Sequence, residues 1–196
     1  MRDYLPKYNI RTYMGQTFDL RKPDPDTVKI VDIATALARV PRFAGHTKTH
    51  YSVAQHSVLV ARELQPCSRE AALCGLLHDA AEAYMGDISS PMKLLIGRYT
   101  NVVEEIEDRI LGTILMKYGL EPSLPPEVKA ADDLLLIREK ESFMDPNPPK
   151  DRIYAWPETA SRNSFLKAFE DLYLGGENNV TCTGALECVN PVTLTF

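Results

Sequence analysis

The sequence predicts an all-α fold, and three observations predict it. Apolar residues recur at three- and four-residue spacing through most of the chain, the period of an amphipathic helix. Serine, aspartate and proline stand where these stretches begin, and glycine or proline where they end. Composition is that of an ordinary globular protein: of 196 residues, 44% are hydrophobic and 25% are charged. A chain of that size buries a core without disulfide or metal staples. The expectation is one helical-bundle domain of about six helices over residues 1–174, with an irregular N-terminal segment and a tail or added hairpin at 175–196.

The elements follow in order. Pro6, Gly15, Pro23 and Pro25 break residues 1–26, where a short strand pair is expected around Thr12–Leu20. Asp26 stands as N-cap to a helix over Thr27–Arg39, whose Ile30, Ile33, Ala34 and Leu37 share a face; Pro41 ends it. The loop 42–51 gathers Gly45, cations and histidines. Ser52 caps a helix running to Leu64, and Ser68 caps a longer one, Arg69–Tyr84, with Gly86 as its stop. Ser90-Pro91 restarts the chain, since proline fits a first helical turn. The stretch 100–118 repeats Val103, Ile106, Ile110 and Ile114 before Gly119. Helices over Pro126–Met144 and Pro157–Leu174 complete the bundle, with Trp156 as a packing anchor.

Charge and cysteine usage exclude several classes. The net charge of −5 and a pI near 5.4 argue against coating a nucleic-acid polymer or an anionic membrane. No apolar run is long enough to span a bilayer, and the first residues lack the apolar stretch of a signal peptide, so the cytoplasm is the expected compartment. The four cysteines (Cys67, Cys74, Cys182, Cys188) form no C-x-x-C pair and read as ordinary thiols. Asn179-Val180-Thr181 matches a glycosylation sequon, which is discounted in the absence of secretion signals.

Only four histidines are present, and one of them carries the sharpest signal. His78-Asp79 stands within an Ala/Leu-rich helix that is otherwise apolar. A carboxylate buried there without a partner costs several kcal/mol, so it needs a cation or a metal. Without a metal, the pair is an aspartate bridged to an arginine beside a hydrogen-bonded core histidine. Glu82 follows His78 by four residues, on the same helical face. His56 brings a second imidazole from the preceding helix, and Asp132-Asp133 brings carboxylates amid Ala130-Ala131 and Leu134-Leu135-Leu136. Two imidazoles and two carboxylates from three helices make a mixed N/O site for a divalent metal, with open positions that suit hydrolysis. His46 and His50 read as loop histidines, at most lining an entrance.

The arrangement His56 … His78-Asp79 … Asp132 resembles the HD-domain phosphohydrolases, named after that adjacent pair. The segments Tyr51-Ser52-Val53-Ala54-Gln55-His56-Ser57 and Leu77-His78-Asp79-Ala80-Ala81-Glu82, continuing to Gly86-Asp87 and Pro91-Met92-Lys93, look like the bacterial 5′-deoxynucleotidases and their phage relatives. Val128-Lys129-Ala130-Ala131-Asp132 is similar to the segment that supplies the last ligand. The likeness covers roughly residues 25–145 and extends to small phage enzymes that remove dATP by releasing triphosphate.

The resemblance implies roles at matching positions. His56, His78, Asp79 and Asp132 would hold a divalent ion (Mn²⁺, Co²⁺, Zn²⁺ or Mg²⁺), with Asp133 as second choice to Asp132. Glu82 would orient the attacking water or take its proton. Asp87 would contact the sugar hydroxyl, Arg42 the phosphate, and Phe43 the deoxyribose or base; the well-known relatives carry tryptophan at Phe43, which leaves selection against a 2′-hydroxyl open. Lys93 and Lys129 would neutralise the further charges of a triphosphate. The implied activity is hydrolysis of a 2′-deoxynucleotide, first a dNTP such as dATP, alternatively a dNMP, by a homo-oligomer in a bacterium or in the host cytoplasm of a phage. Two other classes compete. One is a nucleotide-sensing module without turnover, which has no use for Glu82. The other is di-iron oxidative chemistry, which needs His46 or His50 as added ligands.

Overall fold

The structure is a computed structural model that describes residues 7–175. From residue 176 onward the expected tail or hairpin lies outside the described residues, as do Cys182, Cys188 and the sequon. The all-α expectation holds: among the described residues, apart from one two-stranded sheet, the regular elements are helices.

The chain opens with an antiparallel pair, β1 (Asn9–Arg11) and β2 (Thr17–Asp19), in which Ile10 faces Phe18 and Arg11 faces Thr17. Gly15 turns the corner with φ of +80°, a conformation that glycine adopts without steric cost. Phe18 is fully buried and stacks on Tyr84 with ring centroids 3.8 Å apart, which ties the hairpin to the bundle.

The first long helix, α1, spans Ile30–Arg39 rather than starting at Thr27. Residues Pro25–Thr27 form a separate 3-10 turn capped by Asp24, whose carboxylate accepts from Asp26 N, so Asp26 is not the cap expected from sequence. Val28 and Lys29 are extended between the two pieces. Helix α2 (Val53–Leu64) begins as expected, with the Ser52 side chain accepting from Gln55 N. Helix α3 (Arg69–Leu77) is capped by Ser68, which accepts from Ala71 N.

The single helix expected over Arg69–Tyr84 is broken. It continues after a turn at residues 78–81 as the short α4 (Glu82–Met85), ended by Gly86 at φ +79°. Through the break the backbone bonds tighten to three-residue spacing, Ala80 N to Leu77 O and Glu82 N to Asp79 O. The His78 ring supplies a local cause, because its Nδ1 takes the Gly75 carbonyl at 2.7 Å, the acceptor that the next α-helical bond would use.

Helices α5 (Ser90–Gly97), α6 (Val102–Lys117), α7 (Pro126–Phe143) and α8 (Glu158–Leu174) complete the bundle, close to their expected limits. Helix α2 is its hub and packs against α1, α3, α7 and α8. Val60 of α2 and, on its neighbours α3 and α8, Leu76, Leu77 and Phe165 are fully buried, each side chain contributing about 1.5–3 kcal/mol. Gly75 lets α3 approach α2 closely: a Cβ there would stand 2.5 Å from Leu64 Cδ1 and 3.2 Å from Val60 Cγ1. That approach brings the end of α3, with His78, beside His56 in the first turn and a half of α2.

Candidate metal centre

Three elements converge at the junction of α2, the α3–α4 turn and α7. His56 comes from α2, His78 and Asp79 from the turn, and Asp132 from the second turn of α7. Ligand atoms of His56, His78 and Asp79 all lie within 4.8 Å of one another. Their side chains are 0%, 7% and 17% exposed. His56 Nε2 is 3.2 Å from His78 Nε2, 3.6 Å from Asp79 Oδ2 and 3.2 Å from Asp132 Oδ1. Asp79 Oδ2 is also 3.3 Å from His78 Nε2.

The tautomers follow from the other ring nitrogens. His56 Nδ1 stands 2.6 Å from Glu139 Oε1. Burial opposes ionisation of Glu139, yet His56, Arg42 and the Tyr51 hydroxyl hold its carboxyl below the ordinary range, so it is an acceptor and His56 Nδ1 carries the proton. His78 Nδ1 faces the Gly75 carbonyl, which also only accepts. In the neutral rings both Nε2 atoms are therefore bare lone pairs, pointed at each other and ringed by carboxylates. That donor set fits a cation: the residues present can hold a metal ion, with each imidazole fixed from behind by a hydrogen bond.

The carboxylates report the same field. Burial works against the charge on Asp79, but His78, His56 and Arg42 hold its carboxyl well below the usual range. Burial likewise opposes Asp132, and with both rings protonated the hydrogen bond from His56 Nε2 and the charge of His78 bring it down to about 2. Glu82 behaves in the opposite way. Burial, Asp79 and Asp87 push its carboxyl up to about 10. It is 5% exposed, and its Oε2 is buried without a hydrogen-bond partner.

Arg42 reaches the cluster with Nη1 3.4 Å from Asp79 Oδ2, the aspartate–arginine pair that the metal-free reading of His78-Asp79 describes. Its Nη2 lies 3.0 Å from Glu139 Oε2. A bridge between Pro41 and Ser52 closes the intervening loop, with Arg42 N bonded to Tyr51 O at 2.8 Å, so Arg42 and Tyr51 enter side by side. Phe43 is half-buried with its ring near the Arg42 guanidinium, and Phe43 and Ala44 both adopt positive φ (56° and 50°). Such strain in residues other than glycine costs of order 1–3 kcal/mol and persists where the surroundings impose it. Asp87 follows Gly86 and raises Glu82 through its charge.

Other expected residues fall elsewhere. Lys93 is close enough for Glu82 and Asp79 to raise its pKa, but its Nζ is held by both oxygens of Glu107 at 2.7 Å. Lys129 is 70% exposed, paired with Asp133 and 3.4 Å from Asp132 Oδ2. Asp133 is itself 57% exposed and turned from the cluster, so Asp132 is the aspartate that α7 brings in. His50 Nε2 bonds the Ala38 carbonyl at 2.9 Å and His46 is exposed, leaving neither among the cluster ligands.

Sequence reasoning missed Glu139 and the hydroxyl of Tyr51. Tyr51 Oη donates to Glu139 Oε1 at 2.6 Å, so one fully buried carboxylate collects Tyr51, His56 and Arg42. A signal was present: Glu139 follows Asp132 by seven residues, two helical turns, on the stripe that also buries Val128 and Leu135.

Fold and site together define an all-α protein with a buried His-His-Asp cluster able to hold a metal ion. No protein-family model matches the sequence. The chain is 42% identical over 131 residues to Uncharacterized protein YfdR of Escherichia coli K12, covering 67% of this chain and 70% of that protein. It is 36% identical over 160 residues to Uncharacterized protein RCAP_rcc00048 of Rhodobacter capsulatus, covering 76% and 80%. The chain belongs to the family of these two proteins.

Proposed function

We propose that the protein is a metal-dependent phosphohydrolase of 2′-deoxynucleotides, with a dNTP such as dATP as its first substrate, cleaved to deoxynucleoside and triphosphate. The observation that carries this reading is Glu82: a buried carboxyl beside the metal ligands whose Oε2 has no partner in the protein. A structural metal staple needs no such group, nor does a sensing module. His56, His78, Asp79 and Asp132 would hold a divalent ion, which would supply Lewis acidity at phosphorus and make water more acidic beside it.

The chain's own groups do the rest. Glu82 orients the water and, once ionised, accepts its proton as the oxygen–phosphorus bond forms; that proton then passes to the departing 5′-oxygen. Arg42 faces the same space and offsets charge on the phosphoryl oxygens as the bond to the 5′-oxygen breaks. Asp87 stands one residue beyond the α4 stop, where a sugar hydroxyl is within its reach, and Phe43 presents its ring beside Arg42.

A second reading, a 5′-deoxynucleotidase releasing phosphate from dNMP, is favoured by one specific observation. The cations that a triphosphate needs are engaged, Lys93 by Glu107 and Lys129 by Asp133. A monophosphate requires only the metal and Arg42. Metal-reconstituted protein incubated with dATP, dAMP, the other deoxynucleotides and ATP, with products resolved by ion exchange, separates the versions. Triphosphate beside deoxyadenosine from dATP supports the first, and orthophosphate from dNMP alone the second. No turnover with Mn²⁺, Co²⁺, Mg²⁺ or Zn²⁺ removes both.

A further inference from the structure

Helix α7 packs against α2 and α3 with the stripe that buries Val128, Leu135 and Glu139. Its opposite face carries a row of uncovered residues. Leu134 and Ile137 are 53% and 57% exposed, and Met144, just past the helix, is 47% exposed. Glu127, Ala130 and Glu141 are exposed as well. In chain order these six stand alternately three and four residues apart, the spacing that holds side chains along one seam of a helix. At about 100° per residue, that seam lies across the helix axis from the buried stripe.

The charges beside the seam select what covers it. Lay α7 against a second copy of itself, antiparallel, with Leu134 opposite the partner's Ile137. Ala130 then falls opposite the partner's Glu141, where a small side chain leaves the carboxylate a way to water. On the flank, Asp133 comes beside the partner's Lys140, and the two-fold axis repeats the pair as Lys140 beside the partner's Asp133. Both groups are free to meet. Lys140 is exposed and makes no ion pair or side-chain hydrogen bond among the described residues. Asp133 is 57% exposed, with only its own Lys129 beside it. A parallel pair is disfavoured, because it sets Glu127 and Glu141 each against its own copy. Helix α5 also exposes Leu94, Leu95 and Tyr99, without a pattern of charge that selects an occupant.

We propose that the outer face of α7 is a self-association surface, on which a second copy of the chain docks its own α7 antiparallel about a two-fold axis. Such an isologous contact closes at two subunits. It also leaves Glu139 and its partners undisturbed, since they lie on the far side of the helix. The proposal rests on this face alone and not on the hydrolase reading.

The test is analytical ultracentrifugation of the full chain at tens of micromolar. The parent sediments as a dimer. Leu134→Glu, at an exposed position, keeps the parent's circular dichroism spectrum and sediments as a monomer. Lys140→Asp sets like charges together on both sides of the axis and weakens the dimer about tenfold. Asp133→Lys does the same. The two substitutions combined restore the parent's affinity, because each pair re-forms with its signs exchanged. Leu94→Glu, on α5, leaves the dimer intact. A monomeric parent, a dimer that survives Leu134→Glu, a dimer that Leu94→Glu abolishes, or a double charge exchange that fails to restore association overturns the proposal.

Discussion

Glu139 Oε1 lies 2.6 Å from His56 Nδ1, and that contact decides which nitrogen of His56 faces the cluster. The same carboxylate accepts from Tyr51 and from Arg42, so one side chain on α7 fixes a ligand, a cation and the base of the loop between them. Glu139→Gln puts an amide donor among three donors. We expect a loss of about 3 kcal/mol in stability, in the range for breaking a buried charged network, and metal affinity weaker by about 10- to 100-fold. Thermal melts and metal titration check both; unchanged values in both would show that Glu139 only fills space.

Glu82 gives the converse expectation. Its carboxyl is pushed up to about 10 by burial, Asp79 and Asp87, against about 4.3 in an unfolded chain. A raised folded-state pKa contributes stability that is full below the unfolded value and is lost as pH rises towards the folded one. At pH 8 the metal-free protein therefore bears a penalty at Glu82 that a neutral isostere removes. Glu82→Gln melts higher than the parent in EDTA and loses turnover. A lower melting temperature would contradict the environment described for Glu82, whatever happens to activity.

Much of this was legible in the sequence, and the failures have physical causes. Ser52 and Ser68 were readable as caps because the apolar period begins directly after each, and both side chains do cap. The break after Leu77 was hidden because Ala80 and Ala81 are good helix formers. What opposes them is a side-chain bond, His78 to Gly75, that no propensity registers. Asp26 lost its capping role because Pro25 starts a separate turn one step earlier. His56, His78, Asp79 and Asp132 were findable as polar residues on apolar faces. Glu139 was equally out of place among apolar neighbours, but its partners Tyr51 and Arg42 lie 88 and 97 residues away. Lys129 was placed one turn before Asp132, correctly, yet that spacing lets it reach Asp133 on the solvent side.

The two lysines differ in their surroundings: Lys93 is held by Glu107 near the cluster, and Lys129 by Asp133 on the solvent side. Lys93→Ala frees Glu107 and removes the cation that Glu82 and Asp79 feel. We expect it to raise KM for a dNTP severalfold while leaving dNMP hydrolysis nearly unchanged. Lys129→Ala, on an exposed side chain, leaves both as they were. Equal effects of the two substitutions would remove the distinction between a near cation and a surface one.

Alkaline conditions should weaken the fold. Burial pushes the Cys74 thiol up to about 11 and the Tyr118 phenol up to about 12. Both pKa values are raised, so their contribution is complete below the unfolded values, about 8.5 and 10, and is lost as pH climbs through the folded ones. Denaturation midpoints measured from pH 7 to 11 should fall, beginning near the cysteine value. Iodoacetamide at pH 8 should leave Cys74 unmodified in the native protein. A flat profile together with rapid alkylation of Cys74 would contradict the burial of that residue.

The central claim is that the His56, His78 and Asp79 cluster is a metal centre, and metal stoichiometry tests it most directly. Protein dialysed against Mn²⁺ or Zn²⁺ and then desalted should retain about one ion per chain or more, as sites of this donor type do. His78→Ala and Asp79→Ala, checked by circular dichroism for an intact helical fold, should retain none. A parent protein that holds no ion, or variants that hold as much as the parent, would contradict the claim and return the cluster to a salt-bridged, hydrogen-bonded core.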